Sequence, residues 1–336
     1  MKKSLIALAA LAAVTTASAQ STVALTGTLA FGYMSAQSAT AGTLGSVSGL
    51  GVTDGHFNMT AVEDLGGGLK ATAAMEVLSR GRDTTIAGRN ASITVNGGFG
   101  TVMIGAIEAA NGIQGMAGAG APTIGLDTRG AAQSDTSTGS TLSGISRAAI
   151  STATNTDILM YTTPTISGFS FSAAIMDATA NFGAQNTAAT HDSVMLRASY
   201  SAGPFAAMID TTQFDRNAMT AVSATTPDDR LRIAASYDLG VMKIGAGYEK
   251  LESTAATNNT NKQTVLGASV PLGAFTLGAV FSNNKLEGGT SIKGTDLGVS
   301  YSLSKRTVVQ LAAQSIKETG LAGSADRTRL KLQHSF

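Results

Sequence analysis

The stretch LKLQHSF, residues 330–336, alternates apolar and polar side chains and stops on an aromatic. Leu330, Leu332 and Phe336 share one parity, while Lys331 and Gln333, with Arg329 just before them, share the other. On a β-strand successive side chains point to opposite faces. One face of this strand would then carry leucines and a phenylalanine, and the other would carry cations. Soluble domains usually leave a terminus polar and loose. This stretch instead needs oil on one side and water on the other.

Working outward, the same period recurs along the chain. Phe169, Phe171, Ala173 and Ile175 oppose Ser170, Ser172 and Ala174. Val194, Leu196, Ala198 and Tyr200 oppose Ser193, Met195, Arg197 and Ser199; Leu231, Ile233, Ala235 and Tyr237 oppose Arg230, Arg232, Ala234 and Ser236. Phe275 to Phe281 and Leu297 to Leu303 repeat the pattern. Short Gly/Pro/Ser turns fall at 65–68, 96–100, 164–168, 201–204, 238–240, 271–274 and 303–306, each suited to a tight hairpin. Between them lie longer polar connections at about 37–54, 80–88, 107–153, 178–191, 213–229, 254–261, 286–294 and 318–325.

Seven tight turns alternating with eight long loops join 16 strands and put both ends of the chain on the tight-turn side. An all-β, 16-stranded antiparallel transmembrane β-barrel is the fold this predicts, with short periplasmic turns and long extracellular loops. Hydrocarbon offers backbone groups no partner, and a closed sheet pairs them all. A β-sandwich would also alternate, but its long and short loops need not.

The beginning of the chain agrees with export. MKKSLIALAALAAVTTASAQ has a basic start, an apolar run and Ala17-Ser18-Ala19, which reads as a signal peptide over 1–19, leaving a barrel domain over 20–336. Without Lys2 and Lys3 the basic residues fall from 23 to 21 against 22 acids, a balance that does not suggest nucleic acid as a partner. There is no cysteine, so no disulfide holds the chain together. With 39 glycines and no tryptophan, the composition suits many strands with tight turns and disfavours helices.

Several stretches carry a resemblance to a known family. STVALTG at 21–27, EDLGGGLKA at 63–71, GGFGTVMIG at 97–105, YTTPTISGFSFSA at 161–173 and terminal Phe336 resemble the Gram-negative general porins, in particular the neisserial and β-proteobacterial branch. The resemblance implies a homotrimer of 16-stranded barrels in the cell outer membrane, surrounded by outer-membrane lipid and lipopolysaccharide. It also implies passive diffusion of small hydrophilic solutes, a third extracellular loop folded inward as a constriction, and Phe336 as the signal by which the C-terminal strand meets the barrel-assembly machinery. The chain departs from the family's frequent basic residues at Ala106, at Met160 and in GHFNMTA (55–61).

Function in such a barrel is selection by pore width and wall charge. Residues 107–153 form the longest connection, and their small residues (GIQGMAGAGAPTIGLD) could lie close against the inner wall. Parity assigns to the lumen ten cations, Lys70, Arg80, Arg82, Arg197, Arg230, Arg232, Lys243, Arg327, Arg329 and Lys331, and four acids, Glu76, Asp210, Glu249 and Asp296. The third loop adds Arg129 and Arg147 against Glu108, Asp127 and Asp135, with Glu108 and Asp127 as eyelet candidates. A basic wall raises the local concentration of anions, so a weak to moderate anion preference is expected. Arg89 has the parity of Ile93 and Val95 and belongs beyond a bulge or above the lipid.

No catalytic constellation, cofactor motif or metal-ligand spacing is found. Gly66-Gly67-Gly68 before Lys70 lacks phosphate-loop spacing. His56, His191 and His334 are far apart. A substrate-specific channel, an adhesin and a barrel enzyme are the alternatives, and the enzyme would need acids with a histidine, or a Ser-His pair, at the rim.

Overall fold

The computed structural model describes residues 22–37, 46–79, 86–107, 112–122, 156–177, 193–214, 228–252, 260–287, 289, 291–320 and 323–336. The expected signal peptide at 1–19 lies outside them.

Sixteen strands form one closed antiparallel ring. They are β1 (Thr22–Gln37), β2 (Ser46–Gly66), β3 (Leu69–Leu78), β4 (Ala87–Gly97), β5 (Gly100–Ile107), β6 (Thr156–Thr162), β7 (Phe169–Asp177) and β8 (Ser193–Ala202). Then follow β9 (Phe205–Phe214), β10 (Asp229–Asp238), β11 (Lys243–Glu252), β12 (Asn261–Leu272), β13 (Phe275–Leu286), β14 (Ser291–Ser302), β15 (Thr307–Glu318) and β16 (Ser324–Ser335). A short helix, α1 (Gly112–Ala117), lies in the connection between β5 and β6. Each strand pairs with its chain neighbours, and β1 pairs with β16 to close the ring. All seven tight turns fall where the sequence places them.

The alternation read from the sequence is realised as outside and inside. Leu196, Ile209, Ile233, Leu266, Phe281, Leu297 and Leu311 point outward and are exposed, as a hydrocarbon-facing belt requires. At the tight-turn end aromatic rings cluster: Phe169 stands 4.5 Å from Tyr200, and Phe275 4.6 Å from Tyr301. The tyrosines, with an apolar ring and a polar hydroxyl, suit the membrane–water interface. No helix among the described residues could cross a membrane.

The opening stretch closes the cylinder. Leu330, Leu332 and Phe336 are exposed, while Arg329 and Lys331 are buried inside. Phe336 donates its N–H to Gly27 O and accepts from Gly27 N–H, both at 3.0 Å. A Cβ on Gly27 would come within 2.5 Å of the Phe336 ring, so the absence of a side chain there is what lets the ring lie over the first strand.

Two boundaries differ from the sequence reading: β14 begins at Ser291, inside the stretch read as loop over 286–294, and β2 departs further. β2 begins at Ser46, inside the stretch read as loop up to 54. The cause is a register shift opposite Ala30 and Phe31, whose partners are Asp54 and Val52, so that Thr53 is extra. Such a bulge inverts parity and hides the first half of the strand from a period-2 reading. A second shift leaves Arg89 out of register, because Glu76 pairs with Asn90 and Val77 with Gly88; this is the bulge expected at that residue.

Candidate pore lining

Part of the long connection after β5 lies inside the barrel. α1 rests against β9, β10, β11 and β12. It ends in a tight turn in which Ala119 N–H donates to Met116 O and Gly120 N–H to Gly115 O, with Ala119 and Gly120 both at positive φ. Ala117 and Ala121 pack on Ala234, Val265 and Val280 of the inner wall.

This contact is possible because the wall has no side chains along one track. A Cβ on Gly245 would stand 2.2 Å from Met116 O, one on Gly267 2.5 Å from Gly118 Cα, and one on Gly278 2.5 Å from Pro122 Cδ. Three successive strands thus present glycine to three successive parts of the loop. Ser269 adds a polar tether, its Oγ donating to Ala119 O at 2.6 Å. The small residues read as suited to the inner wall lie there for residues 112–122; the rest of 107–153 beyond Ile107 lies outside the described residues.

Beside this seat runs a row of alternating charge. Arg197, Asp210, Arg232 and Glu249 are successive cross-strand partners on β8, β9, β10 and β11. Arg232 grips Asp210 with two bonds, Nε to Oδ1 at 2.7 Å and Nη2 to Oδ2 at 2.8 Å, and Arg197 Nη2 reaches the same carboxylate at 2.9 Å. Bidentate guanidinium–carboxylate pairing fixes geometry as well as charge. Arg232 and Glu249 are 0% exposed and Asp210 1%, so these three are sealed, while Arg197 at the end of the row is half-buried. One level up, Arg230 donates to Thr212 Oγ1 and lies 5.6 Å over the Phe214 ring, a cation–π placement.

The facing wall is different. In a sixteen-membered ring β1 stands opposite β9. Here β16 carries Arg327, Arg329 and Lys331 on its inner face, 9%, 6% and 5% exposed. Their cross-strand partners are Gln314, Ala312 and Gln310 on β15 and Ala36, Met34 and Gly32 on β1. Two strands further on, Asp54 and His56 line β2, with Asp54 Oδ1 2.9 Å from His56 Nδ1. Glu76 on β3 accepts a short hydrogen bond from Asn90 Nδ2.

The structure places Arg197, Arg230, Arg232, Arg327, Arg329, Lys331, Glu76, Asp210, Glu249 and Asp296 on the inner face of the ring, Arg197 half-buried and the others buried. Lys243 is half-buried at the tight-turn end of β11. Lys70, also of inward parity, is exposed at the corresponding rim, in register with Asp64 and Asn96. Arg80, Arg82, Glu108, Asp127, Arg129 and Arg147 lie outside the described residues. Two features escaped the sequence. Asp54 and His56 sit just after the bulge that inverts parity. The inner wall of β5 to β9 also has an apolar strip, Ile158, Ala174, Met176, Met195 and Phe214, with Met103 and Met160 against it. Among the described residues no group of His, Asp or Glu is arranged to hold a metal.

Comparison with known proteins settles the family. The model of the Gram-negative porins matches residues 6–321. The chain belongs to this family. It is 30% identical to the outer membrane porin protein 32 of Delftia acidovorans, over 92% of this chain and 88% of the relative. The fold matches a solved anion-selective porin from Comamonas acidovorans with a TM-score of 0.69 at 20% identity, covering 94% of this chain and all of that one. A triple mutant of the Rhodopseudomonas blastica porin matches with a TM-score of 0.65 at 16% identity, covering 94% of this chain and all of that one. This porin is thus an outer-membrane channel through which small hydrophilic solutes diffuse passively. Family and fold alike are those of channels.

Proposed function

We propose that this porin is a general-diffusion channel with a weak to moderate anion preference that works as a homotrimer. The observation that carries the preference is the charge of the inner wall. Among the described residues, five buried cations, Arg230, Arg232, Arg327, Arg329 and Lys331, balance five buried acids, Asp54, Glu76, Asp210, Glu249 and Asp296. Half-buried Arg197 and Lys243 outnumber half-buried Glu318 of the same inward face and tip the wall positive. A confined basic surface raises the local concentration of anions and lowers that of cations, and the small excess makes the preference modest. The anion selectivity of the Comamonas porin of similar fold supports the same reading.

The sign is tested by the reversal potential of the purified porin in a planar bilayer under a KCl gradient. A potential favouring chloride is expected; one favouring potassium overturns the proposal. The test is read together with salt, since higher ionic strength screens wall charge.

The remaining assignments belong to the same proposal. Residues 1–19 act as the export signal, and 107–153 narrow the pore. Phe336 serves as the recognition element for the barrel-assembly machinery, its exposed ring at the seam being what supports that role. Lipopolysaccharide and outer-membrane lipid surround the barrel. No catalysis is assigned to it. Chemical cross-linking in native outer membranes should yield a species of three chains.

A further inference from the structure

The outer surface of the barrel is uneven at its long-loop end. Each of β11 to β15 carries an outward lysine there: Lys250, Lys262, Lys285, Lys293 and Lys317. Each continues an outward file of side chains toward the loops. On β12 the file reads Leu266, Thr264, Lys262; on β13, Phe281, Asn283, Lys285; on β14, Leu297, Thr295, Lys293. Leu266, Phe281 and Leu297 belong to the exposed apolar belt, and these lysines stand about 13 Å further along their strands. From β6 to β10, by contrast, no lysine or arginine among the described residues faces outward. The long-loop ends there present Asp157, Val194, Gln213 and Asp229.

The lysines are also set against one another. Lys250, Lys262 and Lys285 are successive cross-strand partners, and Lys293 is the partner of Lys317. Like charges directly opposite on one face of a sheet destabilise it, so such a row is relieved by counter-charge. The chain supplies part of it. Glu252 lies 2.6 Å from Lys250, and Glu287 stands just past the end of β13. Five cations still outnumber these acids on the face. Lys262, Lys285, Lys293 and Lys317 are exposed, and lysine stems of this kind lie along apolar surface while the ammonium reaches the headgroup layer.

We propose that the outward lysines of β11 to β15 form a docking face for the phosphorylated headgroup of lipopolysaccharide. This rests on the reading that lipopolysaccharide surrounds the barrel, and it gives that lipid a defined place. Height and span point to this occupant. The lysines stand beyond the hydrocarbon belt on the side of the long loops, which is the extracellular side, where outer-leaflet headgroups lie. They are strung over five neighbouring strands, about 19 Å, which suits a lipid with several anionic groups. Phosphates seated between the lysines also neutralise the like-charged row.

The test titrates fluorescent, bisphosphorylated lipid A into the purified porin in detergent at low ionic strength. Lys262→Gln/Lys285→Gln is compared with Lys305→Gln/Arg306→Gln, which removes the same charge from an exposed tight turn at the other rim. One lysine near an anionic lipid surface is worth about fivefold in affinity. The β12–β13 double variant should therefore bind at least tenfold more weakly than the unsubstituted porin, and the tight-turn variant within twofold of it. Lys262→Arg/Lys285→Arg should keep the affinity. Undiminished binding in the β12–β13 variant, or an equal loss in both double variants, overturns the inference. So does cardiolipin bound as tightly as lipid A and weakened to the same extent, which would make the face a general anionic-lipid site.

The parent reading is judged on the unsubstituted porin. Lipid A bound equally by all variants leaves lipopolysaccharide around the barrel and removes only its lysine site; no binding by the unsubstituted porin removes both. Channel function is read apart from either, as conductance in planar bilayers, which the outward substitutions should not change. Folding is checked by the heat-modifiable mobility of the barrel on gels. If the β12–β13 variant fails to assemble, Lys285→Gln alone is read: a fall of about fivefold supports the site, and no change overturns it.

Discussion

Two walls of one barrel solve the problem of buried charge in different ways. The β9 to β13 wall is paved. Glycines on β11, β12 and β13 let residues 112–122 lie directly on the sheet, and Arg232 is locked to Asp210, a carboxylate that Arg197 of β8 shares. The wall from β16 through β1 to β3 carries its charges on long side chains with small or amide neighbours. The first arrangement spends charge on rigidity, because removing one partner leaves the other stranded. The second sets its cations at alternate positions of one strand, beside uncharged cross-strand neighbours.

The largest effect that would break this contrast is at Asp210. Asp210→Ala strands Arg232 inside a sealed row and should lower the stability of the folded barrel by about 3–5 kcal/mol, read as the midpoint of urea unfolding in lipid vesicles. A shift below about 1 kcal/mol would mean that the row is not a structural clamp.

Next comes the paving itself. Gly267→Val drives a side chain into the Gly118 backbone, at about 1–3 kcal/mol for overpacking. It should move the loop toward the axis and lower single-channel conductance. Gly98→Ala, in a tight turn where nothing lies within 4 Å, should change neither. Equal conductance in the two variants would show that residues 112–122 do not help set the bore.

The smallest effect sharpens the picture of the tether. Ser269→Ala removes the hydroxyl that donates to Ala119 O and should cost about 1 kcal/mol. The same change at Ser300, an inner-face serine of β14 away from the loop, should cost less.

The cylinder was legible because strand geometry leaves side chains only two directions. From β7 to β16 one face is plainly richer in Leu, Ile, Phe and Tyr, and that face is outward without exception at the residues read. Legibility failed where this premise failed. At Thr53 one extra residue inverted the parity, and Asp54 with His56 went unassigned. In β5 and β6 both faces are apolar (TVMIGAI, TDILMYT), so the inward Met103, Ile158 and Met160 could not be told from lipid-facing residues. The small residues of the long connection announced a close approach, but the glycines that receive them did not. A glycine in a strand reads the same whether it marks a bulge, a bend or a landing place. Charge partners were equally hidden: that Asp210 would be shared by two arginines depends on register, which parity alone does not fix.

The seam between β1 and β16 is held differently from the tight hairpins. In each hairpin a covalent turn and a ladder of hydrogen bonds join the two strands, whereas at the seam only the ladder does so, ending in the reciprocal pair between Gly27 and Phe336. Parting the two strands would turn two rows of amides toward acyl chains, where nothing solvates them. Under tension in the plane of the membrane, this is where the staves would open first, and during insertion it is the joint that must shut last.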